Sequence, residues 1–238
     1  MIKRFFTLLL FSVIALPAVG QSISGVVHLD GPRPKRTPIA LTPESRKLYE
    51  KHPLSEVKLV SAKGEVQNVF VYMKKGLLTG KSFPAPKKGA QVNQKKSMFR
   101  PRIQGILIGQ EVFMRNSDPV IHNVRSLSSE NRPFNIGQPA GTPDRKKVFK
   151  DKEGPIELRC DFHPWMNAQV HILPNEYFDV SDTGGKFKIM NIPPGTYTLE
   201  ARHEKLAPFF VDKKPRKKVT IKKGETLKLI FEIEAPKE

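Results

Sequence analysis

A chain of 238 residues holds 41 lysines and arginines against 23 aspartates and glutamates, a formal charge of +18, and a single cysteine. One cysteine excludes an internal disulfide and leaves either a free thiol or a metal ligand. No serine lies in a nucleophile-elbow motif, and nothing else in the chain forms a catalytic constellation, so the expectation is not an enzyme.

Residues 1–20 open with Lys3 and Arg4, run apolar from Phe5, and end on the small Ala18 and Gly20. That order reads as a signal peptide cut between Gly20 and Gln21, with an uncleaved anchor as the alternative. No later stretch approaches the ~20 apolar residues of a membrane span. No cysteine stands directly after the cut to carry a lipid. The expected location is therefore periplasmic or secreted, which argues against a nucleic-acid partner. The mature chain is long enough for one large or two small domains.

Residues 21–73 read as β-structure. Ile23, Gly25, Val27 and Leu29 alternate with more polar neighbours, a Pro-rich turn occupies 31–38, and Val69, Val71 and Met73 alternate in a second strand. Between them a short helix is predicted over 43–51. Residues 80–90, rich in Lys, Pro and Gly, read as a linker. From 109 to 118 a strand ends in the turn Asn116-Ser117-Asp118. Ile156, Leu158 and Cys160 then share one face of a strand, aiming the sulfur into a core. Ala168, Val170 and Ile172 alternate inward, which predicts His171 on the surface, as for His28. Pro193-Pro194-Gly195 presets a turn, and Leu227, Leu229, Phe231 and Ile233 form a last strand. Helices are nearly absent, so the expected class is all-β, built as sandwiches.

The chemistry concentrates in Cys160-Asp161-Phe162-His163-Pro164-Trp165-Met166. With His122 upstream, the donors are two imidazoles, a thiolate and a thioether, the set that makes a trigonal His2Cys plane with a weak axial Met. A buried thiolate needs a partner, and the turn after Cys160 returns a nitrogen and then a sulfur within six residues. His122 has to come from a neighbouring strand.

On these residues the chain resembles a cupredoxin with the short C-x-x-H-x-x-M loop of the amicyanin type. The resemblance implies a Greek-key β-sandwich and one type 1 copper site with His122, Cys160, His163 and Met166 as metal ligands. Asn123 would brace the loop from the second layer, and His163 would be the electron port. It also implies single-electron transfer to a redox partner. The alternatives are a copper carrier or storage protein, a cell-envelope binding module with a vestigial site, or a site for another metal. Trp165 is expected to shield the centre. Asp118 and Asp161 are expected to cap turns, with acid/base groups as the alternative, and His203 to be hydrogen-bonded within the structure, with a second metal site as the alternative. His52, before a proline, shows no partner in the sequence.

A second resemblance lies in Asp182-Thr183-Gly184-Gly185-Lys186-Phe187-Lys188-Ile189 and in residues 191–199. Both are similar to carboxypeptidase regulatory-like, transthyretin-like sandwiches. The opening strands of such a domain are missing there, but 24–27 and 68–73 look like them. The expectation is one regulatory-like sandwich made of 21–82 and 176–238, split by a cupredoxin domain at 83–175. The alternative is that 21–75 packs on the cupredoxin itself. As a whole the chain resembles exported methylamine-utilisation-like proteins, whose cysteine in the segment matching Ser97-Met98-Phe99, and a second near the N-terminus, are absent here. Residues 103–175 hold nine basic and eight acidic side chains, so the positive excess lies in the flanks. Runs such as 33–36 and 213–223 would suit an acidic redox partner, a membrane surface of anionic lipid or a cell-wall polymer, or form a solvated surface.

Overall fold

The structure, a computed structural model, describes residues 20–76, 83–206 and 215–235. Residues 1–19 of the expected signal peptide, and parts of the 80–90 linker and of the 213–223 basic run, lie outside the described residues. In chain order the elements are β1 (Ser22–Asp30), α1 (Pro43–Arg46), β2 (Phe70–Lys75), β3 (Ala90–Gln94), β4 (Phe99–Arg100) and β5 (Ile103–Leu107). There follow β6 (Glu111–Asn116), β7 (His122–Leu127), β8 (Asn135–Gln138), β9 (Arg145–Val148), β10 (Glu153–Arg159) and β11 (Asn167–Leu173). The chain closes with β12 (Phe178–Val180), β13 (Lys186–Ile189), β14 (Gly195–Arg202), β15 (Arg216–Ile221) and β16 (Thr226–Glu234). The protein is all-β, and no helix among the described residues is long and apolar enough to cross a membrane.

Four sheets form two sandwiches. In one, the sheet β4-β3-β6-β9 faces the sheet β5-β11-β10-β7-β8 over a core that includes Val92, Met114, Val124, Ile156, Leu158 and Cys160. In the other, β13-β1-β16 faces β12-β2-β14-β15 over Ile23, Val27, Val71, Tyr197, Leu199 and Phe231. Strand β1 runs antiparallel to β13, with Ile23 opposite Ile189, and parallel to β16, with Val27 opposite Phe231. Strand β2 pairs with β12 and β14. Period-two alternation puts Ile23, Val27 and Leu29 inward, and burying each such side chain is worth about 1.5–3 kcal/mol.

Two strands are buried on both faces, because each lies between the sandwiches. Val69, Val71 and Met73 point into the second core, while Phe70 and Tyr72 pack with Ile103, Leu173 and Phe178. On β11 the same holds for His171, and here the structure corrects the sequence reading. His171 is not on the surface; it is 3% exposed, its ring stacked on Phe70 at a 3.9 Å centroid distance and 5° interplanar angle. The alternation was read correctly, but the outward face of β11 is covered by Phe70 of β2, a residue about a hundred positions earlier. Gly105 on β5 lets Phe178 approach closely, since a Cβ there would lie 2.1 Å from the ring. Arg102, just before β5, forms a buried ion pair with Glu204, its Nε and an Nη at 2.7 and 2.9 Å from the carboxylate oxygens.

Between β1 and β2 the chain makes a long excursion. Its helix α1 is shorter than the predicted 43–51: the Thr42 hydroxyl caps it by accepting from the Ser45 amide at 3.4 Å, and Lys47 closes it. This excursion passes beside the end of the first sandwich that carries His122 and Cys160.

Candidate metal centre

His122 is the first residue of β7, and the turn before it is held by Asn116 at the end of β6. The Asn116 amide donates to the carbonyls of Val120 and Gln138, both at 2.8 Å, and its Oδ1 accepts from the Asp118 amide at 2.9 Å. Cys160 follows β10 directly. The loop it opens is closed by backbone bonds from Met166 to His163 (2.8 Å) and from Cys160 to Met166 (3.2 Å).

These turns bring His122, Cys160 and His163 together. Cys160 Sγ lies 3.6 Å from His163 Nδ1 and 4.0 Å from His122 Nδ1, and the two Nδ1 atoms are 2.9 Å apart. The three residues are 0%, 3% and 5% exposed. Met166 is fully buried in the same core as Cys160. Among the described residues this is the one group of three such side chains whose ligand atoms converge in this way. Two ring nitrogens and a sulfur within 4.8 Å of one another suit an ion that takes imidazole and thiolate donors.

The other nitrogen of His122 is fixed as well. Nε2 lies 2.9 Å from Asp118 Oδ2, and Asp118 also accepts from the amides of Lys96 (2.6 Å) and Ser97 (2.7 Å). A carboxylate on Nε2 places the ring proton there and leaves Nδ1 as the free donor, the usual way a ligating imidazole is oriented. Asp118 therefore does more than cap a turn, the role expected for it. The sequence signal was its place four residues before His122, on a turn that points it back. Asp161 does hold a turn: Asn123 Oδ1 accepts its amide at 2.7 Å, and the Asn123 and Asn135 amides donate to its carboxylate, each at 2.9 Å.

The electrostatics follow from these contacts. Burial pushes the Cys160 thiol up, but hydrogen bonds from His122 and from the amides of Asn123, Phe162 and His163 outweigh it and hold the thiol below its ordinary value. Asp118 is likewise lowered, burial being overcome by His122 and the amides of Ser97 and Lys96. His122 is raised, since its contacts with Asp118 and Cys160 exceed the penalty of burial. His163 is lowered by burial and by the neighbouring His122. These contacts shift Cys160 toward its thiolate and His163 toward its neutral form, the forms in which each would ligate a metal.

Trp165 packs against the site, its ring 5.2 Å from that of His163 and its Nε1 donating to the Ser97 carbonyl at 3.0 Å. The remaining histidines lie elsewhere. His203 is buried, and its Nδ1 accepts from the amides of Lys205 and Leu206 at 3.2 and 3.1 Å. His28 is half-buried on β1. His52 has a partner that the sequence did not reveal, the Ile39 carbonyl 2.7 Å from Nε2.

No family model and no curated protein sequence matches the chain. Among solved structures the chain is similar to a copper-containing nitrite reductase from Thermus scotoductus, with 18% identity and a TM-score of 0.35 over 42% of this chain and 26% of that one. It is also similar to a purple cupredoxin from Nitrosopumilus maritimus, with 26% identity and a TM-score of 0.30 over 35% of this chain and 99% of that one. A mutant of amicyanin in its reduced Cu(I) form matches at 17% identity and a TM-score of 0.32, over 42% of this chain and 100% of that one. The chain thus spans about a quarter of the nitrite reductase.

Proposed function

We propose that this chain is an exported protein that holds one copper ion at His122, Cys160, His163 and Met166 and passes single electrons to a redox partner. The observation that carries this reading is the convergence of two Nδ1 atoms and one thiol sulfur on three buried residues, with the far nitrogen of His122 tied to a carboxylate. Copper would supply the Cu(I)/Cu(II) couple. The residues of the chain do the rest: Cys160 is held toward its thiolate form, Asp118 orients His122, Trp165 and the surrounding core exclude water, and Asn123 ties the ligand loop to β7. A centre of this donor set leaves no strong open position for a substrate, which fits a carrier and not a catalyst. The basic flanking segments would favour an acidic partner or an anionic surface.

In the same reading, residues 21–82 and 176–238 form one regulatory-like sandwich interrupted by 83–175. The pairing of β1 with β13 and β16, and of β2 with β12 and β14, supports that division. The test of function is a visible absorption spectrum of the protein after addition of Cu(II), beside Cys160→Ser. An intense thiolate-to-copper charge-transfer band that vanishes in the variant is the expected result. No such band in the wild type would refute the reading, and copper lost on reduction to a Cu(I) acceptor would turn it toward copper delivery.

A further inference from the structure

The excursion between β1 and β2 belongs by its ends to the second sandwich, yet its middle touches the metal-bearing end of the first. The Ser97 hydroxyl donates to Ser45 Oγ at 2.8 Å, and the Thr42 hydroxyl donates to the same oxygen at 3.1 Å. The Tyr49 hydroxyl donates to the Lys96 carbonyl, and the Lys96 ammonium sits 5.9 Å over the Tyr49 ring. Ser45 and Ser97 are both fully buried. Farther along, Glu56 holds Arg100 through two bonds of 2.5 and 2.8 Å.

The turn gripped in this way is unusual. Lys96 and Ser97 lie consecutively in the left-handed region, at φ values of 54° and 48°. Neither is a glycine, so the conformation persists only because its surroundings over-determine it. What the turn achieves is to aim two successive amides at Asp118, whose carboxylate holds His122. From the other side, Trp165 of the ligand loop donates to the Ser97 carbonyl. The turn is a hub joining the excursion, the carboxylate and the loop.

We propose that the excursion is a structural wall of the metal centre, and that Ser45 and Tyr49 are positioning residues for His122. They hold the turn at 96–97, the turn holds Asp118, and Asp118 fixes which nitrogen of His122 is free to bind. The second sandwich thereby takes part in setting up a centre that lies in the first. This inference rests on the copper reading above. It differs from a purely packing role in one respect: loss of the Ser45 hydroxyl strands a buried Ser97 hydroxyl and loosens a chain that ends on an imidazole proton.

The experiment uses the full chain with Ser45→Ala and Tyr49→Phe. In copper-free protein the His122 Nε2 proton is followed by NMR, and in copper-loaded protein the loss of metal to a chelator is timed. Weakened support of a ligating imidazole typically lowers metal affinity by about 10- to 100-fold, so copper loss should speed by about that order and the ring proton should exchange faster in both variants. If Ser45→Ala does not fold, Tyr49→Phe, which keeps the ring and its packing, decides by the same two readouts. Proton exchange and copper loss equal to wild type would overturn the proposal. A wild-type protein without a charge-transfer band would instead mean that the copper reading has failed. A wild-type band with unchanged variants would mean that the wall alone has failed.

Discussion

The buried His171 makes stability depend on pH in a window that can be isolated. Burial holds its imidazole at about 3, against an ordinary value of 6.5. The unfolded chain therefore takes up a proton first as pH falls, so this contribution is whole above about pH 6.5 and shrinks as pH drops toward 3. At about 1.4 kcal/mol per unit, His171 alone should cost the fold about 2 kcal/mol between pH 6.5 and 4.5, and about 4 by pH 3. His203, also held at about 3 by burial and by the charges of Arg102 and Lys58, adds a second loss over the same window. The variant His171→Phe keeps an aromatic ring against Phe70 and removes the titration. Urea unfolding of both proteins at several pH values from 7 to 4.5 gives two curves of stability against pH. The curves should converge by about 2 kcal/mol as pH falls, while any fixed cost of the substitution shifts one curve bodily, and the shared titrations of His122 and Cys160 cancel. Parallel curves would refute the argument, because they would mean that the imidazole is protonated as readily between the folded sandwiches as in water.

The same boundary offers two further tests. Gly105→Ala sets a Cβ 2.1 Å from a Phe178 ring already packed against Phe70, so it should cost about 1–3 kcal/mol, read as a lower urea midpoint. Glu204→Ala leaves the buried Arg102 guanidinium without its carboxylate and should cost about 3–5 kcal/mol, whereas replacing both partners by apolar residues of similar volume should cost far less.

What the sequence could show followed the reach of its patterns. Alternation over a few residues placed Ile23, Val27 and Leu29, and later Ile156, Leu158 and Cys160, on inward faces, because each of those strands buries one side against a core of its own sandwich. The same rule misplaced His171. Phe70-Val71-Tyr72-Met73 is buried throughout, and its apolar run does not say that two different cores are being served. The helix beginning at Pro43 was overextended, since after Arg46 the chain turns to place Tyr49 against Lys96. At the candidate centre, Cys160, His163 and Met166 are set by a short loop and stand out in the sequence. The support for His122 does not, because it comes from amides more than twenty residues upstream, in a left-handed turn without a glycine to mark it.

The second sandwich reaches the centre along two separate routes. One is the excursion before β2, through Ser45 and Tyr49 to the turn at 96–97. The other is Arg102, which joins Glu204 to the carbonyl and side chain of Asn167, the residue directly after Met166. One route ends at the carboxylate that holds His122 and the other at the residue after Met166, while stacking of Phe70 on His171 ties the two sandwiches between them. An electron carrier exchanges fastest when its ligands keep one arrangement in both oxidation states, so constraint on two sides of the set is what the proposed function asks of this scaffold. A copper-delivery protein needs the opposite, a ligand that swings free. The double anchorage of the loop after Cys160 and of His122 is thus the feature that the copper-loss and spectral tests of the proposed function would probe.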